Sequence, residues 1–353
     1  MFSAEFIPAG RRSCLPEPQS CVRMLMNSCK APFDVSGMSF GAALVSMRYV
    51  IGMEVMRFPF LEESDKLTEM QKNMYRALVN VDSGGHFTMT GEVLVNSLQT
   101  LSFLLARHYG RKVILLIDEY DVPLDKAFQA GYYNEMVHLI RNVFSSVLKS
   151  NENLHFAVLT GCLRIAKSSG GRLQESIFTG LNNFNVLSIT DRYFEDAFGF
   201  SDEETRQMLS YYGLDACYDT IKAWYDGYRF GGTSVYCPWD VIKYCYALLA
   251  DREARPENYW ANTSGNSIVR RFIDKSDNQT KEELERLLAG ETVVKTIRQE
   301  LTYNELDTTI DNLWSVLFTT GYLTWHGRAE DGGYKLVIPN LEIRNLFVTQ
   351  IME

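Results

Sequence analysis

Two adjacent carboxylates directly follow a run of five apolar residues in the segment RKVILLIDEYD. Residues 113–117 have the length and aliphatic composition of a strand buried on both faces, and Asp118 and Glu119 come immediately after it. In an open parallel sheet, ligands bind at the carboxyl ends of the strands. Carboxylates placed there can hold Mg²⁺, directly or through water, and can accept a proton from an attacking water molecule. The pair therefore indicates metal-assisted chemistry.

Four or more apolar residues followed by Asp-Glu is the Walker B pattern of P-loop ATPases, although a strand followed by an acidic helix cap has the same appearance. The next apolar strand, HFAVLTG, ends in Thr160, and Arg164 follows in the loop. A polar residue at the end of a neighbouring strand can sense the γ-phosphate, and an arginine can stabilise transition-state charge. The alternatives are a helix cap for Thr160 and a surface ion pair for Arg164.

Apolar residues recur at helical spacing in segments that alternate with the apolar strands. The predicted helices cover residues 35–53, 68–78, 92–110 and 133–149. The predicted strands cover residues 113–117, 155–161 and 184–190. Strands that are continuous apolar runs, separated by helices, predict a parallel sheet covered on both faces. The fold class is therefore α/β, with a partial P-loop NTPase-type parallel sheet at residues 34–190.

The pattern changes after residue 190 to short helices. Ser201 and Glu204 have capping-box spacing and predict the start of a helix, and the segment WYDGYRFGG (224–232) predicts a turn. The last part has helices leading into a two-stranded hairpin with its turn at 327–333. We expect a mostly helical lid at 191–290 and a winged-helix-like domain at 291–353.

The overall composition bears on three properties: membrane insertion, the redox state of the cysteines and nucleic-acid binding. No apolar run approaches the roughly 20 residues that span a bilayer, and seven cysteines without a framework spacing fit reduced thiols, so we expect a cytoplasmic protein that does not enter a membrane. The net charge of −9 disfavours nucleic-acid binding by the whole surface, although a local basic face stays possible. Residues 1–33 predict an irregular leader that is disordered or non-native.

Five segments follow one another in the order and spacing of a known family: VILLIDEYDVPLDKA, LTGCLRIAK, ESIFTGLNNF, WYDGYRFGG and VYCPWDVI. From residue 34 to about residue 351 the chain resembles the AAA-ATPase-like proteins of bacteria, P-loop ATPases that often carry a C-terminal nuclease domain of the restriction-endonuclease type. The resemblance implies binding of ATP and Mg²⁺. It implies that Asp118 holds Mg²⁺ through water, that Glu119 is the catalytic base, and that Thr160 and Arg164 belong to the same catalytic region.

The sequence also departs from that family. Its members begin with a strand, a Walker A loop similar to RPRRFGKT and a helix, whereas neither GxxxxGK[ST] nor a shorter GK[ST] occurs here. No glycine-rich loop with its lysine is therefore evident to cradle the phosphates. An insertion at 168–174 lengthens the loop beside Thr160, and Cys237 stands where the family has Asn. We expect a chain truncated at both ends.

Two functions from different classes follow. The first is an AAA-ATPase-like protein whose ATP binding and hydrolysis are weak or absent. The alternative is a nucleic-acid-binding or regulatory module that acts through the winged-helix-like domain. Its predicted wing carries Arg328 and Lys335 but also Glu330 and Asp331, which makes a weak phosphate-binding surface. The sequence leaves the oligomeric state open.

Overall fold

The computed structural model describes residues 21–25, 39–161, 177–178, 185–260, 267–299, 301, 305 and 309–352. Within these residues the chain folds as two units. The N-terminal unit contains the described residues from 21 to 178, and the C-terminal unit contains residues 185–299 and 305–352. In the described ranges, no helix combines the length and the apolar character needed to cross a membrane.

A three-stranded parallel sheet lies at the centre of the N-terminal unit. Its strands, in the order β1-β2-β3, are β1 (Cys21–Leu25), β2 (Val113–Asp118) and β3 (Leu154–Leu159). The helices of this unit are α1 (Phe40–Val55), α2 (Phe60–Glu63), α3 (Glu69–Val79), α4 (Gly91–Tyr109), α5 (Val122–Ala130) and α6 (Tyr133–Leu148). Parallel pairing between strands that helices separate confirms the α/β fold class.

Strand β1 corrects the prediction of an irregular leader at residues 21–25. These residues pair in parallel with β2, from Cys21 opposite Ile114 to Leu25 opposite Asp118. Their backbone groups pair with those of β2, and because the paired residues are 93 positions apart, local composition cannot reveal the contact. The rest of the predicted leader lies outside the described residues.

Side-chain caps set the boundaries of the helices in this unit. At the start of α3, Thr68 accepts from the Gln71 N–H at 3.4 Å, and the Gln71 side chain accepts from the Thr68 N–H at 2.9 Å. Helix α4 starts at the cap Thr90 and ends at Gly110, whose φ of 65° is the left-handed conformation that glycine adopts without strain. The predicted helices at 68–78, 92–110 and 133–149 are confirmed.

The neighbouring strands β2 and β3 differ in the burial of their side chains. On β2, Val113, Leu115 and Ile117 are at most 1% exposed, as expected for a central strand. On β3, Phe156 and Val158 expose 37% and 44% of their surface. The sheet is therefore not covered on both faces at β3, which in the described part of the chain pairs only with β2.

The C-terminal unit contains mostly helices and two small antiparallel sheets. Its helices are α7 (Asp202–Tyr212), α8 (Tyr218–Tyr225), α9 (Pro238–Ala250), α10 (Ser267–Lys275), α11 (Asn278–Leu288), α12 (Ile310–Thr319) and α13 (Leu341–Met352). Its strands are β4 (Tyr228–Phe230), β5 (Thr233–Val235), β6 (Val293–Lys295), β7 (Thr324–Arg328) and β8 (Tyr334–Val337). One sheet is the β4-β5 hairpin, and the other has the order β6-β8-β7.

Local sequence signals in this unit give mixed results. The capping box of Ser201 and Glu204 is present at the start of α7, and the predicted hairpin near the end of the chain is formed by β7 and β8. The strand predicted at 184–190 is wrong for residues 185–190, which form no strand. There Asp191 accepts from the N–H and the hydroxyl of Ser188, so side chains satisfy the backbone locally in place of a strand ladder.

Two apolar cores stabilise the C-terminal unit. The first, between α7, α8 and α9, includes Tyr225 and Val241. The second includes Trp314 of α12 and Phe347 of α13. It also contains Phe272, Leu284 and Leu287, which come from helices α10 and α11. The sequence assigns these two helices to the lid, whereas the structure packs them with the C-terminal sheet.

Replacing Leu115 by alanine is expected to destabilise the N-terminal unit by about 2–5 kcal/mol, because a fully buried side chain on the central strand leaves a cavity. Urea unfolding followed by far-ultraviolet circular dichroism measures the loss. Val158→Ala is the matched control on β3, since its side chain is 44% exposed and should cost less than about 1 kcal/mol. Equal losses in the two variants would contradict the assignment of β2 as the buried strand.

Candidate functional site

The carboxyl ends of β2 and β3 meet at one edge of the sheet and bring Asp118 and Thr160 into contact. The Thr160 N–H donates to the Ile117 carbonyl at 2.9 Å, and the Tyr120 N–H donates to the Thr160 carbonyl at 3.0 Å. The Thr160 hydroxyl donates to Asp118 Oδ1. Asp118 is exposed and Thr160 is half-buried, so this contact faces solvent. The predicted adjacency of the two strands is confirmed.

Glu119 lies on the turn that leads from β2 into α5. Its φ of 54° is in the left-handed region, which costs a residue with a side chain about 1 kcal/mol or more. The Val122 N–H donates to the Glu119 carbonyl at 3.2 Å and closes the turn. Glu119 therefore leaves the alternation of the strand, and its side chain is half-buried beside the exposed carboxylate of Asp118. Backbone strain of this kind is typical of functional sites.

Gly161 allows the end of β3 to approach the turn closely. A Cβ atom at this position would lie 2.7 Å from Asp121 Oδ1 and 2.8 Å from Tyr120 Cε1. Asp121 is 3% exposed and stands immediately before α5. Neither Asp121 nor Gly161 was among the residues that the sequence singled out. Two features of the sequence could have indicated them: Asp121 is the third acidic residue of DEYD, and Gly161 is the glycine that ends LTG.

An aromatic contact holds this turn against α6. Tyr120 is 6% exposed, and its ring meets the edge of Phe178 with a centroid distance of 5.4 Å. Phe178 in turn lies 6.4 Å from the ring of Phe144, which is fully buried on α6. Aromatic pairs at these distances add to the free energy gained by burial. These ring contacts fix the turn against α6.

The donor atoms of this edge fit Mg²⁺ better than a softer metal. The Asp118 carboxylate and the Thr160 hydroxyl are oxygen donors, and Mg²⁺ is commonly held by one or two carboxylates while it keeps several water molecules. Among the described residues, no cluster of three or more His, Cys, Asp or Glu side chains could hold a metal. Arg164 and the insertion at 168–174 lie outside the described residues.

In the predicted wing, which is the β7-β8 hairpin, the side chain of Arg328 bonds to other residues of the hairpin. Arg328 Nη1 donates to the Gly332 carbonyl at 3.0 Å, Nη2 donates to the Tyr334 hydroxyl at 2.5 Å, and the guanidinium carbon lies 4.1 Å from the centre of that ring. Lys335 is exposed. On α12, the helix that precedes the hairpin, residues 312–318 are all buried and Asp311 is exposed. This helix therefore presents no basic face to a nucleic acid.

The segment of the chain that contains the candidate site matches the model of a known protein family. Residues 47–169 match a family model, AAA-ATPase_like, described as "Predicted AAA-ATPase". The match supports an AAA-ATPase-like family. It covers about a third of the chain and includes α4, β2, α5, α6 and β3, and with them Asp118, Glu119 and Thr160. Arg164 also lies within the matched range.

A curated protein of Azotobacter chroococcum mcd 1, named "Uncharacterized protein in vnfD 5'region", is 29% identical to this chain over 242 residues. The similarity covers 67% of this chain and 42% of that protein. The chain thus spans less than half the length of the curated relative it matches. No solved structure matches the chain.

Replacing Gly161 by alanine is expected to destabilise the protein by about 1–3 kcal/mol, since the added methyl group must displace Asp121 and Tyr120. Thermal unfolding followed by circular dichroism measures the effect. The control is Gly91→Ala at the exposed start of α4, where an added Cβ meets nothing within 4 Å and should change stability by less than about 0.5 kcal/mol. An unchanged melting temperature in Gly161→Ala would show that the close approach does not exist.

Proposed function

We propose that this chain is an AAA-ATPase-like protein in which Asp118, Glu119 and Thr160 form the Walker B side of a Mg²⁺–nucleotide site. The observation that carries the proposal is the hydrogen bond from Thr160 to Asp118 at the carboxyl ends of two adjacent parallel strands. Nucleotide-binding sites of parallel α/β sheets lie at this end. The family match over residues 47–169 supports the same class.

Each side chain has a role that follows from its position. Asp118 would hold Mg²⁺ through water, and its Oδ1 accepts from the Thr160 hydroxyl. Glu119, one residue beyond the strand, would accept a proton from the water that attacks the γ-phosphate. Thr160 orients the carboxylate and senses the phosphate. By the family resemblance, Arg164 stabilises negative charge in the transition state.

Nucleotide binding is expected to be weak. In P-loop ATPases a glycine-rich loop and its lysine surround the β- and γ-phosphates, and the sequence contains no GK[ST] motif. We therefore propose slow or absent ATP hydrolysis by this chain alone.

The C-terminal unit supports a winged-helix-like fold more than nucleic-acid binding. Helices α10 and α11 precede β6, α12 follows it and leads into the β7-β8 hairpin, and the sheet has the order β6-β8-β7. In a winged helix that binds DNA, a recognition helix enters the major groove and exposes side chains to the bases. Because α12 is buried along residues 312–318, we propose that this fold serves packing within the unit.

Removal of the Asp118 carboxylate is expected to abolish stabilisation by MgATP. Differential scanning fluorimetry should show a rise in the melting temperature of the wild-type protein with MgATP that disappears when EDTA removes the metal. At a ligand concentration equal to Kd the stabilisation is about 0.4 kcal/mol, and it increases with concentration. Asp118→Asn should show no rise at any MgATP concentration that shifts the wild-type protein.

Glu135→Gln is the matched control, because it removes one acidic charge from the exposed first turn of α6. It should keep the wild-type response to MgATP. Absence of any MgATP-dependent shift in the wild-type protein would contradict the proposed function. An equal shift in Asp118→Asn would place the nucleotide elsewhere.

A further inference from the structure

A cavity of about 370 Å³ lies in the C-terminal unit, on the surface of α7. The side chains that line it come from α7, from the short 3₁₀ helix Asp215–Cys217 and from the start of α8: Arg206, Gln207, Leu209, Ser210, Asp215 and Tyr218. Cavities of this size hold small molecules, and all of these side chains except Leu209 carry a polar group. The cavity is therefore a candidate ligand site.

The carboxylate of Asp202, in the first turn of α7, organises one wall of this cavity. Its Oδ2 accepts from Arg206 Nε at 2.8 Å. Its Oδ1 accepts from the Tyr218 hydroxyl at 2.5 Å and from the hydroxyl of Tyr236, a buried side chain, at 2.7 Å. Burial raises the pKa of Asp202, but these hydrogen bonds outweigh burial and hold the pKa well below its usual value. Asp202 is therefore ionised at neutral pH and holds two of the side chains that line the cavity.

The side chain of Arg206 is fixed on both its edge and its face. The guanidinium carbon lies 3.5 Å from the centre of the Tyr218 ring, which adds a cation–π contact to the bond with Asp202. The Tyr218 hydroxyl accepts in turn from Lys222 Nζ at 3.2 Å. An arginine that is 56% exposed would otherwise keep much of its rotamer freedom. The network therefore orients one guanidinium at the wall of the cavity.

Arg206 keeps the nitrogens that recognise an anion. Among the residues that the structure describes, its ion-pair partner is Asp202, and the hydrogen bond between them uses Nε. The other two nitrogens, Nη1 and Nη2, form the planar fork that binds a carboxylate through two parallel hydrogen bonds. Because the guanidinium is already oriented, it loses little conformational entropy when an anion binds.

Asp215 brings the opposite charge to the same cavity. It is exposed, and its carboxylate forms no hydrogen bond and no ion pair with a residue in the described part of the chain. Arg206 and Asp215 thus line one cavity without pairing with each other. A ligand that carries both an anionic and a cationic group is complementary to such a pair of walls.

The size of the cavity indicates which zwitterion fits. A spherical cavity of about 370 Å³ is about 9 Å across. In an α-amino acid the charged groups are about 3 Å apart, and each charge-assisted hydrogen bond adds about 2.8 Å, so the ligand joins protein groups that are about 8 to 9 Å apart. The dimensions of an α-amino acid therefore match those of the cavity.

We propose that this cavity binds a free α-amino acid, whose carboxylate accepts from the Nη groups of Arg206 and whose ammonium group donates to Asp215. Asp202, Tyr218 and Lys222 are positioning residues that orient Arg206. An ion pair four residues apart on a helix is common on exposed surfaces, but it requires neither a stacked ring nor a buried tyrosine hydroxyl on the same carboxylate. Asp118 lies in the N-terminal unit, so this inference does not depend on the proposed nucleotide site.

Saturation-transfer NMR of the full chain, with each proteinogenic L-amino acid in turn at millimolar concentration, tests the proposal. At least one amino acid should bind. Its N-acetyl derivative lacks the ammonium group and its methyl ester lacks the carboxylate, so each should bind about tenfold more weakly or worse. Absence of binding by every amino acid would overturn the proposal, and so would equal binding of the free amino acid and both derivatives.

Two substitutions test the assigned contacts in calorimetric titrations with the amino acid that binds. Arg206→Gln and Asp215→Asn should each weaken binding about tenfold or more, because each removes one charged partner. Arg286→Gln is the matched control for the arginine: Arg286 is 53% exposed and donates from Nε to Glu291 at 2.9 Å on α11. Asp219→Asn is the control for the acid, since Asp219 is exposed and does not line the cavity.

Ser210→Phe tests the cavity itself if Arg206→Gln or Asp215→Asn does not fold. Ser210 is exposed and lines the cavity, and the larger side chain should fill it and prevent binding while the bonds of Asp202 remain. Circular dichroism of each variant confirms folding. Unchanged affinity in Ser210→Phe, or in folded Arg206→Gln and Asp215→Asn, would place the amino acid elsewhere and overturn the proposal. Arg206→Gln should keep the wild-type response to MgATP.

Discussion

The backbone hydrogen bonds between the ends of β2 and β3 are the constraint on which the candidate site depends. The bond from Thr160 to Ile117 fixes the register of the two strands, and the bond from Tyr120 to Thr160 fixes the turn that follows. A shift of one residue would turn the Thr160 side chain to the opposite face of the sheet and away from Asp118. The absence of a side chain at Gly161 leaves room for the side chains of Asp121 and Tyr120 beside the end of β3.

The acidic residues of this chain lie in two different environments, exposed to solvent or buried. Asp118 stands at an exposed strand end, where an ionised carboxylate can attract a hydrated cation. Asp240 and Glu342 are removed from water, and burial raises the pKa of Asp240. Both arrangements stand at the start or end of a regular element. The packing around the element decides whether the acid is exposed or buried.

The sequence predicted the elements that depend on neighbouring residues. The caps at Thr68, Thr90 and Ser201 act within three residues, so their signal is complete in a short stretch of sequence. The segment at 185–190 has the apolar content of a strand, but Ser188 and Asp191 bond the local backbone, and composition alone does not show which of the two outcomes has the lower free energy. Partners distant in sequence left no such signal, as the pairing of β1 with β2 shows.

The sequence by itself determined the buried strand with its two terminal acids, the helices that flank it and the order of the segments that resemble one family. Only the tertiary structure decided that Thr160 bonds Asp118, that Glu119 leaves the strand in a left-handed turn, and that Asp240 is buried. The physical reason is the range of the interactions. Helix caps and apolar periodicity act over a few residues, whereas the bond between Thr160 and Asp118 joins residues 42 positions apart.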